Sequence, residues 1–155
     1  MYNHAPEGYV CPFCRIAVGL ENEGWNYQAD VFYQNEFVTA FIAPLWWPNN
    51  AGHAIVIPNR HIENIYDLTP DIAVHVHETA RQVSIAFMRL YDCEGTSIRQ
   101  HNGTYPLQEV WHYHLHVFPR YIDDQLYGLE RHTTTPEERR PYADKLRTYF
   151  QTQSE

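Results

Sequence analysis

The stretch QEVWHYHLHVFPRY, residues 108–121, sets His112, His114 and His116 at alternate positions in an otherwise apolar run. Side chains alternate across a strand, and neighbours on one face lie roughly 6.5–7 Å apart along it. The three imidazoles therefore share one face, while Trp111, Tyr113, Leu115 and Val117 share the other, which can pack on a helix. A solvent-facing row on an edge strand is the plain alternative, but strand stability gives no reason for imidazole at three alternate sites. Two chemistries suit such a row. Neutral imidazole is the commonest metal ligand. An imidazole nitrogen is also a nucleophile toward phosphorus, carrying the phosphoryl or nucleotidyl group until water or another acceptor removes it. Spacing leaves both open, and both can coexist if different histidines do each job. A second cluster, CPFC, holds Cys11 and Cys14 at a spacing commoner in metal and redox sites than in disulfide scaffolds. Cys93, at the expected end of a helix, reads as a packed thiol.

These residues need elements to hold them. Period-2 alternation and turn residues predict strands at 31–34 and 37–42, joined at Asn35-Glu36, and a third in HAIVIP, ended by Pro58. Thr69 as N-cap and Pro70 in the first turn open the main helix. Its buried stripe is Ile72, Val76, Ala80, Val83, Phe87 and Leu90, and Gly95 is placed to stop it. TSIRQH and VWHYHLHVF read as two further strands on either side of the loop NGTYPLQE. Thr135-Pro136-Glu137-Glu138 has the pattern of a capping box, and Ala143, Leu146, Tyr149 and Phe150 form a second apolar face, with Pro141 expected to kink or delay that helix. No repeat or linker divides the chain. The expected fold is α+β: a mainly antiparallel sheet of about five strands, one main crossing helix and a C-terminal helix. It forms a single domain over 1–155, with its core at about 9–122 and a helical tail over 123–155.

At 155 residues a chain can bury a sizeable core without staples. The net charge of −8, with no long basic run, argues against an extended nucleic acid as partner and leaves room for a small anion held by local geometry. No apolar window approaches the ~18 residues that span a bilayer, and the N-terminus lacks a secretory pattern, so the chain reads as cytosolic. Of the ten histidines, His75, His77 and His132 read as solvated.

The motif QEVWHYHLHVFPR resembles the signature of the histidine triad (HIT) superfamily, His-x-His-x-His-x-x and a short apolar stretch, with Gln108 four residues before the first His. CPFCRIAVG resembles that family's N-terminal segment, and GHAIVIPNRHI its Gly-His strand with the Ile-Pro ending. PRY resembles the usual exit from its catalytic strand, so the matches run in order from about residue 11 to 121. The resemblance implies a HIT-like fold, nucleotide binding, and hydrolysis or transfer of nucleoside monophosphates through a nucleotidyl-histidine. It makes His114 the nucleophile and His116 a phosphate contact and proton donor to the leaving group, and it has Gln108 reach the phosphate or scissile bridge. His101, Asn102 and Gly103 would line the phosphate, and Phe13, Ile16 and Phe41 would sandwich the base. It also implies zinc held by Cys11, Cys14, His53 and His112, a closed structural site, with His61 matched but structural, and a homodimer. Where relatives carry an acidic residue for the ribose hydroxyls, this chain has Ile42 and Ala43, then a longer loop containing Trp46, Trp47, Asn49 and Asn50. That loop could remodel the pocket mouth, or its tryptophans could cover a dimer interface.

The leading expectation is an enzyme that cleaves phosphoramidates or dinucleoside polyphosphates. A nucleotide-binding scaffold with little turnover is the second, and a histidine-rich metalloenzyme of the β-barrel type the third. The third is disfavoured by the lack of a carboxylate within the histidine strand and by the helix between strands.

Overall fold

The computed structural model describes residues 2–105 and 108–153, so Pro106 and Leu107 of the NGTYPLQE loop lie outside the described residues. In chain order the strands are β1 (Val31–Gln34), β2 (Val38–Ile42), β3 (Leu45–Trp46), β4 (Ala54–Pro58), β5 (Gly95–Arg99), β6 (Leu115–Arg120) and β7 (His132–Thr133). Five of them form an antiparallel sheet in the order β1-β2-β4-β6-β5, and β3 pairs with β7 in a small separate ribbon. Asn35 turns β1 into β2, its Oδ1 accepting from the backbone N–H of Phe37 and Val38 at 2.8 and 2.9 Å.

Every residue of β2 and β4 is buried, because both faces of the sheet are covered. Ala54 and Val56 join Val38, Ala40, Ile42, Leu115 and Val117 in the larger core. Helix α2 (Pro70–Leu90) packs on that face with Ile72, Val76, Ala80, Val83 and Phe87, and α3 (Pro136–Gln153) adds Ala143, Leu146 and Phe150. The intervening residues Ile55 and Ile57 point the other way, into a smaller cluster with Phe41, Phe13, Ile16 and Val110. A short helix not expected from the sequence, α1 (Pro12–Ala17), supplies Phe13 and Ile16 to that side.

The reciprocal cap on α3 is formed: the Thr135 N–H donates to Glu138 Oε2 at 2.7 Å, and the Glu138 N–H to Thr135 Oγ1 at 3.3 Å. Pro141 lies inside α3 and does not delay its start. Helix α2 ends at Leu90, ahead of Gly95, because Asp92 takes the left-handed turn at φ 52° and frees Gly95 to begin β5. The ladder of β6 begins only at Leu115, so His112 stands in a bend and His114 in the segment that leads into the strand. Their alternation survives nonetheless, since Tyr113 and Leu115 enter the core beneath α2. No helix among the described residues is long and apolar enough to cross a membrane.

Candidate active site and metal centre

His112, His114 and His116 all turn toward the smaller cluster, on the sheet face away from α2, and α1 lies over them there. Phe13 meets the His114 ring edge-on at 5.2 Å. His114 Nδ1 sits 2.7 Å from the His112 carbonyl oxygen, so that nitrogen carries the proton and donates it, leaving the lone pair on Nε2. His116 Nδ1 faces His53 Nε2 at 3.4 Å, one ring donating to the other. Burial, which penalises the imidazolium, brings His114 down to about 4 and His53 to about 3, and holds His116 well below its ordinary value. Arg99 works in the same direction on all three. These rings are therefore neutral near pH 7, the state in which a nitrogen can attack.

Two adjoining hollows meet at His114 and His116. One is a mainly apolar slot lined by Phe13, Trp25, Ala43, Leu45, Ile55 and Val110, with His53, Glu109 and Arg131 at its border. The other, a cavity of about 170 Å³, is lined by Trp47, Arg99, His101, Glu109 and Arg131 in addition to the two histidines. Antiparallel pairing sets Arg99 directly opposite His116. Its guanidinium lies over three rings, 4.9 Å from Trp47, 5.2 Å from Phe118 and 4.8 Å from Tyr127. Arg131 arrives by a different route. The β3–β7 ribbon pairs Trp46 with His132, which sets the following Trp47 and the preceding Arg131 side by side. Arg131 forms a fork with Glu109, one arm at 2.8 Å.

Sequence reasoning missed Arg99, Glu109, Arg131, Trp25, Ile55 and Tyr127. Arg99 and Ile55 become visible only once the strand register is known, since pairing sets each of them opposite His116. Of the residues it named, Phe13 and His101 reach the two hollows, whereas Ile16 and Phe41 are fully buried beneath Phe13. Gln108 is buried and internally engaged: its Oε1 accepts from the Gly103 N–H at 3.0 Å, and its Nε2 donates to the carbonyls of Glu63 and Val110. Asn102 is engaged with Gln100 and with the Ile65 N–H. Gln108, Asn102 and Gly103 thus brace the loop, and none of the three lines either hollow. Trp46 and Trp47 are buried within the chain, with Trp47 forming a wall of the basic cavity.

A second constellation lies at the other end of β4. The ligand atoms of Cys11, Cys14, His61 and His112 all fall within 4.8 Å of one another. Cys11 Sγ is 3.3 Å from His112 Nδ1, Cys14 Sγ is 3.2 Å from His61 Nδ1, and Cys14 Sγ is 3.6 Å from His112 Nδ1. Such separations suit tetrahedral coordination, in which Zn–S and Zn–N bonds are about 2.3 and 2.0 Å. His112 Nε2 donates to the Pro58 carbonyl at 2.9 Å, which leaves Nδ1 as its ligand atom. Burial and the neighbouring Cys11 push the Cys14 thiol up to about 12, and a bound cation would be needed to hold it as a thiolate ligand. The fourth corner is His61, not the expected His53. His53 precedes β4 and His61 follows it, so the length of that strand separates them, and His53 lies against His116 and Phe118 instead.

A family model described as the HIT domain matches residues 26–123. The Bacillus subtilis protein called Protein hit is 32% identical over 111 residues, covering 72% of this chain and 71% of its own length. A bis(5'-adenosyl)-triphosphatase of Dictyostelium discoideum is 26% identical over 132 residues, 80% of this chain and 87% of that one. Among solved structures, a zinc-bound histidine triad family protein from Mycobacterium smegmatis superposes with a TM-score of 0.75 at 25% identity, covering 93% of this chain and 95% of the other.

Proposed function

The chain belongs to the HIT domain family, and from that premise we propose that it hydrolyses or transfers a nucleoside monophosphate from a phosphate conjugate through a nucleotidyl-His114 intermediate. The observation that carries this reading is the fixed His114 ring. Its Nδ1–H is held by the His112 carbonyl, so its free Nε2 belongs to the junction between an apolar slot and a cationic cavity. A base fits the slot and phosphate oxygens fit the cavity, which would put the α-phosphorus beside Nε2.

The Nε2 lone pair attacks phosphorus in line, forming the N–P bond while the P–O bond to the leaving group breaks and its electron pair goes to the departing oxygen. His116 donates an N–H hydrogen bond to that oxygen, and His53 behind it fixes the ring orientation. Water then attacks phosphorus and loses a proton to solvent, the P–N bond breaks, and its pair returns to Nε2. Some relatives support the substrate class, including the triphosphatase named above. Replacing His114 by Ala should lower nucleotide release at least about a thousand-fold, as loss of a nucleophile does. Turnover retained in that variant would remove the reading.

We also propose that Cys11, Cys14, His61 and His112 hold a structural zinc. A zinc there would supply a closed tetrahedral link between α1 and the histidine segment. The donor set and its spacing support this, as does the zinc-bound histidine triad neighbour.

A further inference from the structure

We propose that Arg99, assisted by Arg131, is a specificity-determining residue that holds the phosphate chain of the leaving group, so that the preferred substrate departs as an anion rather than as an amine. The inference rests on the nucleotidyl-transfer reading above and selects between its two substrate classes.

The first ground is charge. The chain carries −8 overall, yet the cavity beside His114 and His116 brings together two guanidiniums and a single carboxylate, Glu109. Glu109 is occupied by the fork from Arg131. Arg99 has no carboxylate at ion-pair distance among the described residues, and its Nε is buried without a hydrogen-bond partner. Aromatic rings and the Tyr127 side chain support this half-buried cation, but no carboxylate among the described residues neutralises it at contact, so an anion entering the cavity would be favoured.

The second ground is position. Arg99 lies across the strand pair from His116, the proposed donor to the departing oxygen, and borders the same cavity as His101. The apolar slot shares Trp47, Glu109, Arg131 and the two histidines with that cavity, whereas Arg99 and His101 border the cavity alone. With the base in that slot, atoms leaving from the α-phosphorus move toward Arg99. A β-phosphate there would receive a planar fork of donors, the geometry for which guanidinium is suited. A protonated amine would instead meet a fixed like charge.

The third ground is support. Trp47, Phe118 and Tyr127 hold the guanidinium plane on its aromatic sides. Tyr127 is delivered by the turn after β6, where Asp124 accepts from Arg120, Asn50 and the N–H groups of Tyr121 and Leu126. The cation is held in place rather than left to sample solvent.

The test compares wild type, Arg99→Met and Arg131→Gln on a diadenosine polyphosphate and on adenosine phosphoramidate, whose leaving group is ammonia. In parallel, binding of inorganic triphosphate is measured by calorimetry. Arg99→Met should lower kcat/KM for the polyphosphate about ten-fold or more beyond its effect on the phosphoramidate. Triphosphate affinity should fall at least about ten-fold, and Arg131→Gln, altered at a residue that borders both hollows and is paired with Glu109, should show a smaller shift in the same direction even if Arg99→Met fails to fold. Equal losses on both substrates, or triphosphate binding unchanged in the variants, would overturn the assignment. Absence of nucleotide release from wild type would instead count against the transfer chemistry, and triphosphate binding would still decide the role of Arg99.

Discussion

At the scale of single residues, the site works by keeping imidazoles neutral. His53 and His116 face each other and lie near Arg99, with Arg131 also acting on His53, so each proton they might gain is opposed by burial and by cationic neighbours. The consequence for stability has a definite sign. The unfolded chain binds protons at these sites near 6.5 and the folded chain only far below, at about 3 for His53, so stability rises with pH across that window. It is complete above about 6.5 and is lost as the pH falls toward the folded values. Urea midpoints measured at pH 7 and pH 4.5 should therefore fall with acid, and His53→Asn should flatten the fall; equal slopes for both proteins would contradict this account. That His112, His114 and His116 share one face was legible from their alternation. Arg99 was not, because its neighbour His116 is 17 residues away and only the β5–β6 register joins them.

At the scale of elements, β4 divides the chemistry. Its five residues put His53 at one end, against His116 and bordering the apolar slot, and His61 at the other beside the two cysteines. The sequence showed two histidines flanking HAIVIP without showing that the turn after Pro58 carries His61 back toward α1. Zinc content should follow the geometry. His61→Ala should lose most bound zinc in metal analysis of the purified protein, whereas His53→Ala should retain it; the reverse pattern would remove His61 from the set. The α2 stripe and the α3 cap were legible because helical period and capping chemistry are local, while the stop of α2 at Asp92 depended on a left-handed turn that the sequence does not advertise.

At the scale of the whole molecule, the sheet is covered on both faces, and the chain beyond β6 helps complete the proposed site. Arg139 of α3 is fully buried and grips Asp30 through two bonds, at 2.8 and 3.1 Å, while also donating to the carbonyls of Thr134 and Trp25. This links the tail that delivers Arg131 to the segment carrying Trp25, so the two hollows share one anchor. Arg139→Met should cost about 3–5 kcal/mol in urea unfolding, because Asp30 would be left charged and buried, and adding Asp30→Leu should recover much of that loss. A cost below about 1 kcal/mol would show the pair to be incidental. Composition and hydrophobic period made the α+β class and the sheet legible; this long-range ion pair was not, since it joins residues 109 positions apart.

The central claim is that His114 becomes covalently nucleotidylated. Wild-type protein and His114→Ala would be mixed briefly with a dinucleoside polyphosphate, quenched in base to spare the P–N bond, digested, and analysed by mass spectrometry. The account predicts a nucleoside monophosphate adduct on the peptide at His114 in wild type and none in the variant. Turnover with no adduct, or an adduct on a different residue, would contradict it.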